Sequence, residues 1–417
     1  MNTSSTRSST ESSSSVENTT TEEATIESAG AIGPDFKSAL RLVLPIFLLS
    51  RVWVAVFAYW GQAVYASQGK YLQPFKGGWQ GVPNWWLNPW TTYDGERFVH
   101  VAERGYDVVT SVSFPLYSIL LIPFNRSEVA MAAWGVLLSN LAFLIALAML
   151  YRLTARDFNS SSVAKAAVWA TAFFPATVIF SAVYAESVFL LLLVLTFWNA
   201  RGHRWGWAAL FGLLVGLTRN SGPIVFAALA IEYSIQWRTA QREGRRKPSL
   251  LSALATTTPL LAFVGFQLYL KHALGGSDLV LKQAHALGRD WILPWIPIWR
   301  ETLFVAGGRG GMGTLINFWA TLTGIILAFA FWKRGILSYT AFLSGMLLAF
   351  LTYGMTFPPY TIGAMRYLAV TFPMQQRLGL VISTYLQRPM SRLLLLIVAL
   401  GASALVAFAF GMKSFLF

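Results

Sequence analysis

The chain of 417 residues contains no cysteine. Disulfides, thiolate metal sites and cysteine nucleophiles are therefore excluded. Histidine is scarce too. His100, His203, His272 and His285 are the only four, and they share no metal-ligand spacing, so a structural zinc site is not expected. Charge is the third shortage: 12% of residues are charged, against about 25% in soluble domains. Neither a P-loop nor a dinucleotide fingerprint occurs, and no soluble stretch is large enough to bind a nucleotide sugar. Strand-like alternation is also missing.

What is present is apolar. Hydrophobic residues make up 55% of the chain, mean hydropathy is +0.53, and apolar runs near 20 residues recur. A run of about 20 residues spans the ~30 Å hydrocarbon core as a helix, where backbone groups must be satisfied internally. The chain reads as an all-α, polytopic integral membrane protein. Eleven spans are expected, near 38–62, 128–151, 163–182, 184–200, 205–219, 221–237, 250–272, 313–332, 336–355, 364–384 and 391–413. Those at 184–200, 205–219 and 221–237 are short enough to be hairpins or broken helices. The run 112–124 is too short to span and suits a re-entrant or interfacial piece.

Fifteen of the first 25 residues are Ser or Thr, and such a segment cannot bury enough apolar surface to order itself. Residues 1–36 are expected to form a disordered tail, and 37–417 the polytopic domain. The tail is too long and polar to open a cleaved signal peptide, so the first apolar run is expected to act as a signal anchor.

Net charge is +14, yet no basic–aromatic module of a nucleic-acid binder is present. The basic residues sit in short loops at 152–165, 201–204, 238–247, 333–334 and 388–392. The densest, 238–247, holds five. Positive residues mark the cytoplasmic side, and eleven spans let all five loops and the tail share it. The loops 63–127, 183–186, 218–222, 273–312 and 356–365 then face outward from the cell membrane.

The outward loops carry nearly all the unusual polar residues, so an active site on the extracytoplasmic face is expected. Asp94 sits in TTYDGERFVHVAERGYD, where helical spacing aligns it with Arg97, Phe98 and Val101. A carboxylate there could take the proton of an attacking hydroxyl; the plainer reading makes Asp94 a helix cap. Glu186 opens an apolar helix, where the dipole alone would favour an acid. Arg219, Arg289 and Arg366 suit phosphate oxygens through two-point hydrogen bonds, against the plainer reading of snorkelling. Arg51 lies deep in the first apolar run and needs a partner: Asp94, Glu186, a wet cavity or an interior carbonyl. His100 and His285 are weaker candidates for substrate contact. Trp79, Trp85, Trp86, Trp90, Trp291, Trp295 and Trp299 read first as an interfacial belt and second as a sugar-stacking platform.

A membrane enzyme with no nucleotide site needs an activated donor at the bilayer surface. A polyprenyl-phosphate sugar meets that need, with membrane lipids around it and no nucleic acid involved. The segments YDGERFVHVAERGYD, FPLYSILL, FFPATVIFSAVYAES, TRNSG, QAHALGRDWILPW and MRYLAVTFP, in that order, resemble the PIG-V-like mannosyltransferases of the GT-C glycosyltransferase superfamily. The resemblance covers residues from about 40 to 375. It implies a GT-C-like helical bundle whose first outward loop contains short amphipathic helices. It also implies transfer of a sugar, mannose above all, from a polyprenyl-phosphate donor to a lipid or glycan hydroxyl. Asp94 resembles the family's first-loop catalytic aspartate and Glu186 the acid after a Tyr-Thr pair. Arg219 resembles the Arg-x-x-Gly arginine, and Arg366 with Tyr367 an Arg-Tyr pair. Tyr93, Ser118, Ala185 and Leu287 depart from the pattern, replacing a tryptophan, a proline, a threonine and a tryptophan. No cofactor is required by this reading, and a divalent metal near Asp94 and Glu186 is compatible with it. The alternatives are a transporter or lipid flippase, against which the absence of internal repeats counts, and a non-catalytic lipid-binding subunit.

Overall fold

The computed structural model describes residues 35–68, 85–125, 127–275, 285, 288–332 and 335–414. Most of the Ser/Thr-rich tail, the basic pair at 333–334, Trp79 and Leu287 lie outside the described residues.

Helix α1 (Phe36–Ser67) begins where the Asp35 carboxylate accepts the Ser38 N–H, which satisfies one of the orphan donors of a first turn. Two short helices, α2 (Asp94–Arg104) and α3 (Pro115–Leu121), follow a 3-10 turn at Asn88–Trp90 and lead to the long α4 (Glu128–Phe158). Ser127 and Ser160 cap α4 and α5 (Ser161–Ala172) in the same manner as Asp35. Then come α6 (Glu186–Arg201), α7 (Trp205–Gly216), α8 (Gly222–Arg242), α9 (Leu250–Ala255) and α10 (Thr258–Leu274). Strand β1 (Arg289–Trp291) leads to α11 (Trp295–Ala306), α12 (Met312–Ala330) and α13 (Leu337–Thr352). Strand β2 (Tyr353–Met355) pairs antiparallel with β1. The chain closes with α14 (Ala364–Ala369), α15 (Phe372–Thr384) and α16 (Pro389–Gly411).

Among the described residues four helices, α1, α4, α12 and α16, are long and apolar enough to cross a membrane. Three segments expected as single spans are broken instead. The segment 163–182 stops as a helix at Ala172, ahead of Pro175; 250–272 divides before Pro259, and 364–384 divides before Pro373. One cause covers all three: proline has no N–H to offer the carbonyl four residues back, and its ring crowds that carbonyl. The run 112–124 contains only the seven residues of α3, flanked by 3-10 turns.

The first and last helices lie against each other along small residues. A methyl group on Gly61 would fall 2.0 Å from the Phe408 carbonyl oxygen, and one on Gly411 would fall 1.9 Å from that of Ala58. Backbones packed that closely need glycine on both sides. Helix α6 runs through the middle of one continuous apolar core, between α4 and α7.

The two ends of α6, about 22 Å apart by helical rise, both carry buried charge. At its C-terminal end Arg201 donates to Asp157 at 2.8 Å and reaches Glu232 at 3.4 Å. Tyr339 donates to Asp157 at 2.7 Å and Ser338 to Glu232 at 2.6 Å. Four helices, α4, α6, α8 and α13, are thereby tied by polar groups whose hydrogen bonds offset the cost of burying their charge. The N-terminal end of α6 is the candidate site.

Candidate functional site

Asp94 is the first residue of α2, and Tyr93 before it takes positive φ (59°) with no capping side chain. The cap reading is therefore corrected. The Asp94 carboxylate is occupied by Arg97, one turn along at 3.0 Å, and by Arg366. Local backbone pairing brings this loop to α6. The Val183 N–H donates to the Trp90 carbonyl at 2.8 Å, and the Tyr184 hydroxyl donates to that of Thr92 at 3.1 Å. Ser118, in place of the family's proline, donates its hydroxyl to the Phe98 carbonyl at 2.9 Å and so joins α3 to α2.

Glu186 opens α6 and is fully buried. Its Oε1 accepts from both Arg219 and Arg366, while Oε2 has no hydrogen-bond partner among the described residues. Arg219 stands in the turn between α7 and α8. That turn also gives the Leu217 carbonyl to the first-turn amide of Leu116 in α3, at 2.9 Å. The Arg219 guanidinium lies 5.4 Å from the Tyr367 ring centre, and that of Arg366 lies 4.9 Å from the ring of Tyr184. Two carboxylates thus meet three guanidiniums, Arg97, Arg219 and Arg366, leaving one positive charge in excess. Such a balance favours an anion.

The charges have a titration consequence outside the apolar spans. Burial alone would raise the Asp94 carboxyl, but Arg366 and Arg97 outweigh it and hold it at about 2. Two opposite charges within a few ångströms act this way because they stabilise the ionised form. Asp94 is therefore an anion throughout the physiological range.

The other candidates lie apart from this cluster. Arg51 pairs with neither carboxylate. Its guanidinium donates to the Thr177 carbonyl (3.1 Å), the Thr177 hydroxyl (2.6 Å) and the Ser181 hydroxyl (2.9 Å), and it lies 4.7 Å from the centre of the Phe143 ring. The turn opened by Pro175 exposes these acceptors, so the interior-carbonyl alternative is the one realised. Arg289 donates to the carbonyls of Tyr353 (3.1 Å) and Ile362 (3.5 Å), beside the loop that leads to Arg366. His100 faces Asp107 at 3.2 Å and His285 faces Asp290 at 3.6 Å. Trp90 is buried with its ring N–H on the Tyr59 hydroxyl, whereas Trp85, Trp86, Trp291, Trp295 and Trp299 are exposed. Tyr184 escaped the reading of the sequence as a site residue, although it stands in the segment quoted for Glu186. Among the described residues no three acidic or imidazole side chains gather to hold a metal ion.

A helical membrane protein that gathers two carboxylates and three arginines at one end of its central helix is the class that fold and site define. Its family is shown by sequence. The model of the mannosyltransferase (PIG-V) family matches residues 81–301, just over half of the chain, and the chain belongs to that family. Arg366 and Tyr367 lie beyond the matched segment, so the fold is what joins them to it. GPI mannosyltransferase 2 of Drosophila pseudoobscura pseudoobscura is 32% identical over an alignment of 109 residues that covers 23% of this chain and 24% of that protein. The match therefore spans about a quarter of that relative's length. Two crystal structures of the Archaeoglobus fulgidus oligosaccharyltransferase align with a TM-score of 0.41. One, in complex with Zn and sulfate, shows 16% identity and covers 86% of this chain and 53% of its own. The other, tethered with an acceptor peptide, shows 13% identity and covers 89% and 55%.

Proposed function

We propose that the chain is an inverting glycosyltransferase. It moves a sugar, mannose by family, from a polyprenyl-phosphate donor to a hydroxyl of a lipid or glycan acceptor at the extracytoplasmic face. The observation that carries the reading is the bridge of Arg366 between Asp94 and Glu186, with Arg219 on the same Glu186 oxygen. Membership of a mannosyltransferase family supports it and sets aside the transporter reading.

In this mechanism Asp94 takes the acceptor proton as the acceptor oxygen bonds to the anomeric carbon. The bond from that carbon to the phosphate oxygen breaks, and its electron pair leaves on the polyprenyl phosphate. Charge growing on the phosphate is where fixed donors contribute most, and Arg219 and Arg366 are the donors at hand. The donor is a phosphodiester with one negative charge, which matches the one positive charge in excess. Donor binding has a second effect. A phosphate that draws Arg366 toward itself loosens the hold on Asp94 and makes that carboxylate a stronger base. Glu186 keeps the two arginines in register and has a free oxygen for a sugar hydroxyl.

The test is direct. Purified protein in lipid is given radiolabelled polyprenyl-phosphate mannose or glucose together with extracted membrane glycolipids. Label passing to a new lipid or glycan supports the reading and names the sugar. Label that stays on the donor with every acceptor fraction counts against it.

A further inference from the structure

Residues 353–365 form a strap that delivers Arg366 to the two carboxylates, and buried side chains of α11 and α12 grip it. Glu301 of α11 is fully buried, and its Oε2 accepts the Thr361 N–H at 3.0 Å. Its neighbour Arg300 holds its guanidinium 5.8 Å from the centre of the Tyr360 ring. Two consecutive residues of α11 therefore hold two consecutive residues of the strap. Gly363 follows with φ of 91°, a left-handed conformation that residues with a Cβ rarely adopt. Immediately beyond it, buried Asn317 of α12 accepts the Met365 N–H at 3.1 Å.

A buried carboxylate is costly, and an apolar residue of similar volume would pack as well without that cost. No cation pairs with Glu301 among the described residues, and its Oε1 has no hydrogen-bond partner there. Among the described residues the hydrogen bond it makes is to the strap. Arg366, for its part, must reach carboxylates borne by α2 and α6 at once, which tolerates little displacement of its backbone.

We propose that Glu301 is a positioning residue, fixing the strap so that Arg366 bridges Asp94 and Glu186. The inference rests on the donor-binding role of Arg366 proposed above, and its test separates the two. Thr361 is fully buried and its hydroxyl makes no hydrogen bond among the described residues. Thr361→Cys therefore places one protected thiol in a cysteine-free chain. In that background Glu301→Ala should speed maleimide labelling by about tenfold, the scale of leaving a buried N–H unmet. Glu301→Gln, which keeps an oxygen acceptor, should restore slow labelling. In the transferase assay Glu301→Ala should raise the donor KM and leave the acceptor KM unchanged. Combined with Arg366→Ala it should cost nothing further, because residues acting through one group are not additive.

An unchanged labelling rate in Glu301→Ala, or losses that add in the double variant, overturns the proposal. Should Arg366→Ala itself leave the donor KM at the wild-type value, the donor assignment fails. The labelling rate then decides the role of Glu301 in the strap.

Discussion

Asp94 and Glu186, on the first turns of α2 and α6, share one guanidinium, that of Arg366. Without it the two carboxylates would stand near each other with only Arg97 and Arg219 at their outer sides. The arrangement is over-supplied with positive charge by one, and the shared arginine is the group through which a bound anion can be felt at Asp94.

Asp94→Asn tests the base directly. The amide keeps the size of the side chain and much of its hydrogen bonding, but it cannot take a proton. General-base catalysis contributes ~10²–10⁴-fold, so turnover should fall by about that factor while donor binding holds. A helix cap would behave otherwise, since Asn caps about as well as Asp. Near-wild-type turnover would move the base to Glu186.

Arg366→Ala is expected to weaken donor binding, each lost charge-assisted hydrogen bond being worth about 1.5–3 kcal/mol. Arg366→Lys keeps the charge without the planar fork and should fall between. Equilibrium binding of the donor to protein in lipid discs measures this. Unchanged affinity in a folded Arg366→Ala protein would place the phosphate elsewhere.

The residues of the candidate site were legible in the sequence as candidates, and their pairing was not. Asp94, Glu186, Arg219 and Arg366 stand out because each interrupts an apolar landscape near shaped turns. Nothing in that pattern says that Arg366 meets both acids while Arg289 turns to the carbonyls of Tyr353 and Ile362. Hydropathy locates the apolar segments well. It measures run length and ignores backbone hydrogen bonds, so it passes over the breaks before Pro175, Pro259 and Pro373. The loop 201–204 reads as plain positive charge, whereas Arg201 links Asp157 and Glu232 across 44 and 31 residues. Contacts at such separations leave no local periodicity to read.

Glu96, two residues from Asp94, predicts a pH effect of opposite sign. Burial raises its carboxyl from 4.5 to about 7, with Lys413 and Arg97 only partly opposing. A group whose folded value is raised contributes stability that is fully present below the unfolded value and is lost as pH rises through the folded one. The loss therefore develops between about 4.5 and about 7. Glu96→Gln removes it, so the variant should melt above wild type at pH 8 and level with it at pH 4. Equal melting temperatures at pH 8 would mean that the carboxylate is better solvated than its surroundings suggest.

The orientation can be tested without any substrate, because the chain offers no thiol of its own. Positive charge concentrates at 238–247, so that segment is expected in the cytoplasm and the loop around Asp94 outside. Trp85 and Glu243 are both exposed, and Trp85→Cys and Glu243→Cys place one accessible thiol on each side. In intact cells an impermeant maleimide should label the cysteine at position 85 and spare the one at 243, and permeabilisation should make both react. The reverse pattern would put Asp94, Glu186 and Arg366 on the cytoplasmic face. A donor made available on the outer surface could then not reach them, and the transfer would have to draw on a lipid-linked sugar of the inner leaflet.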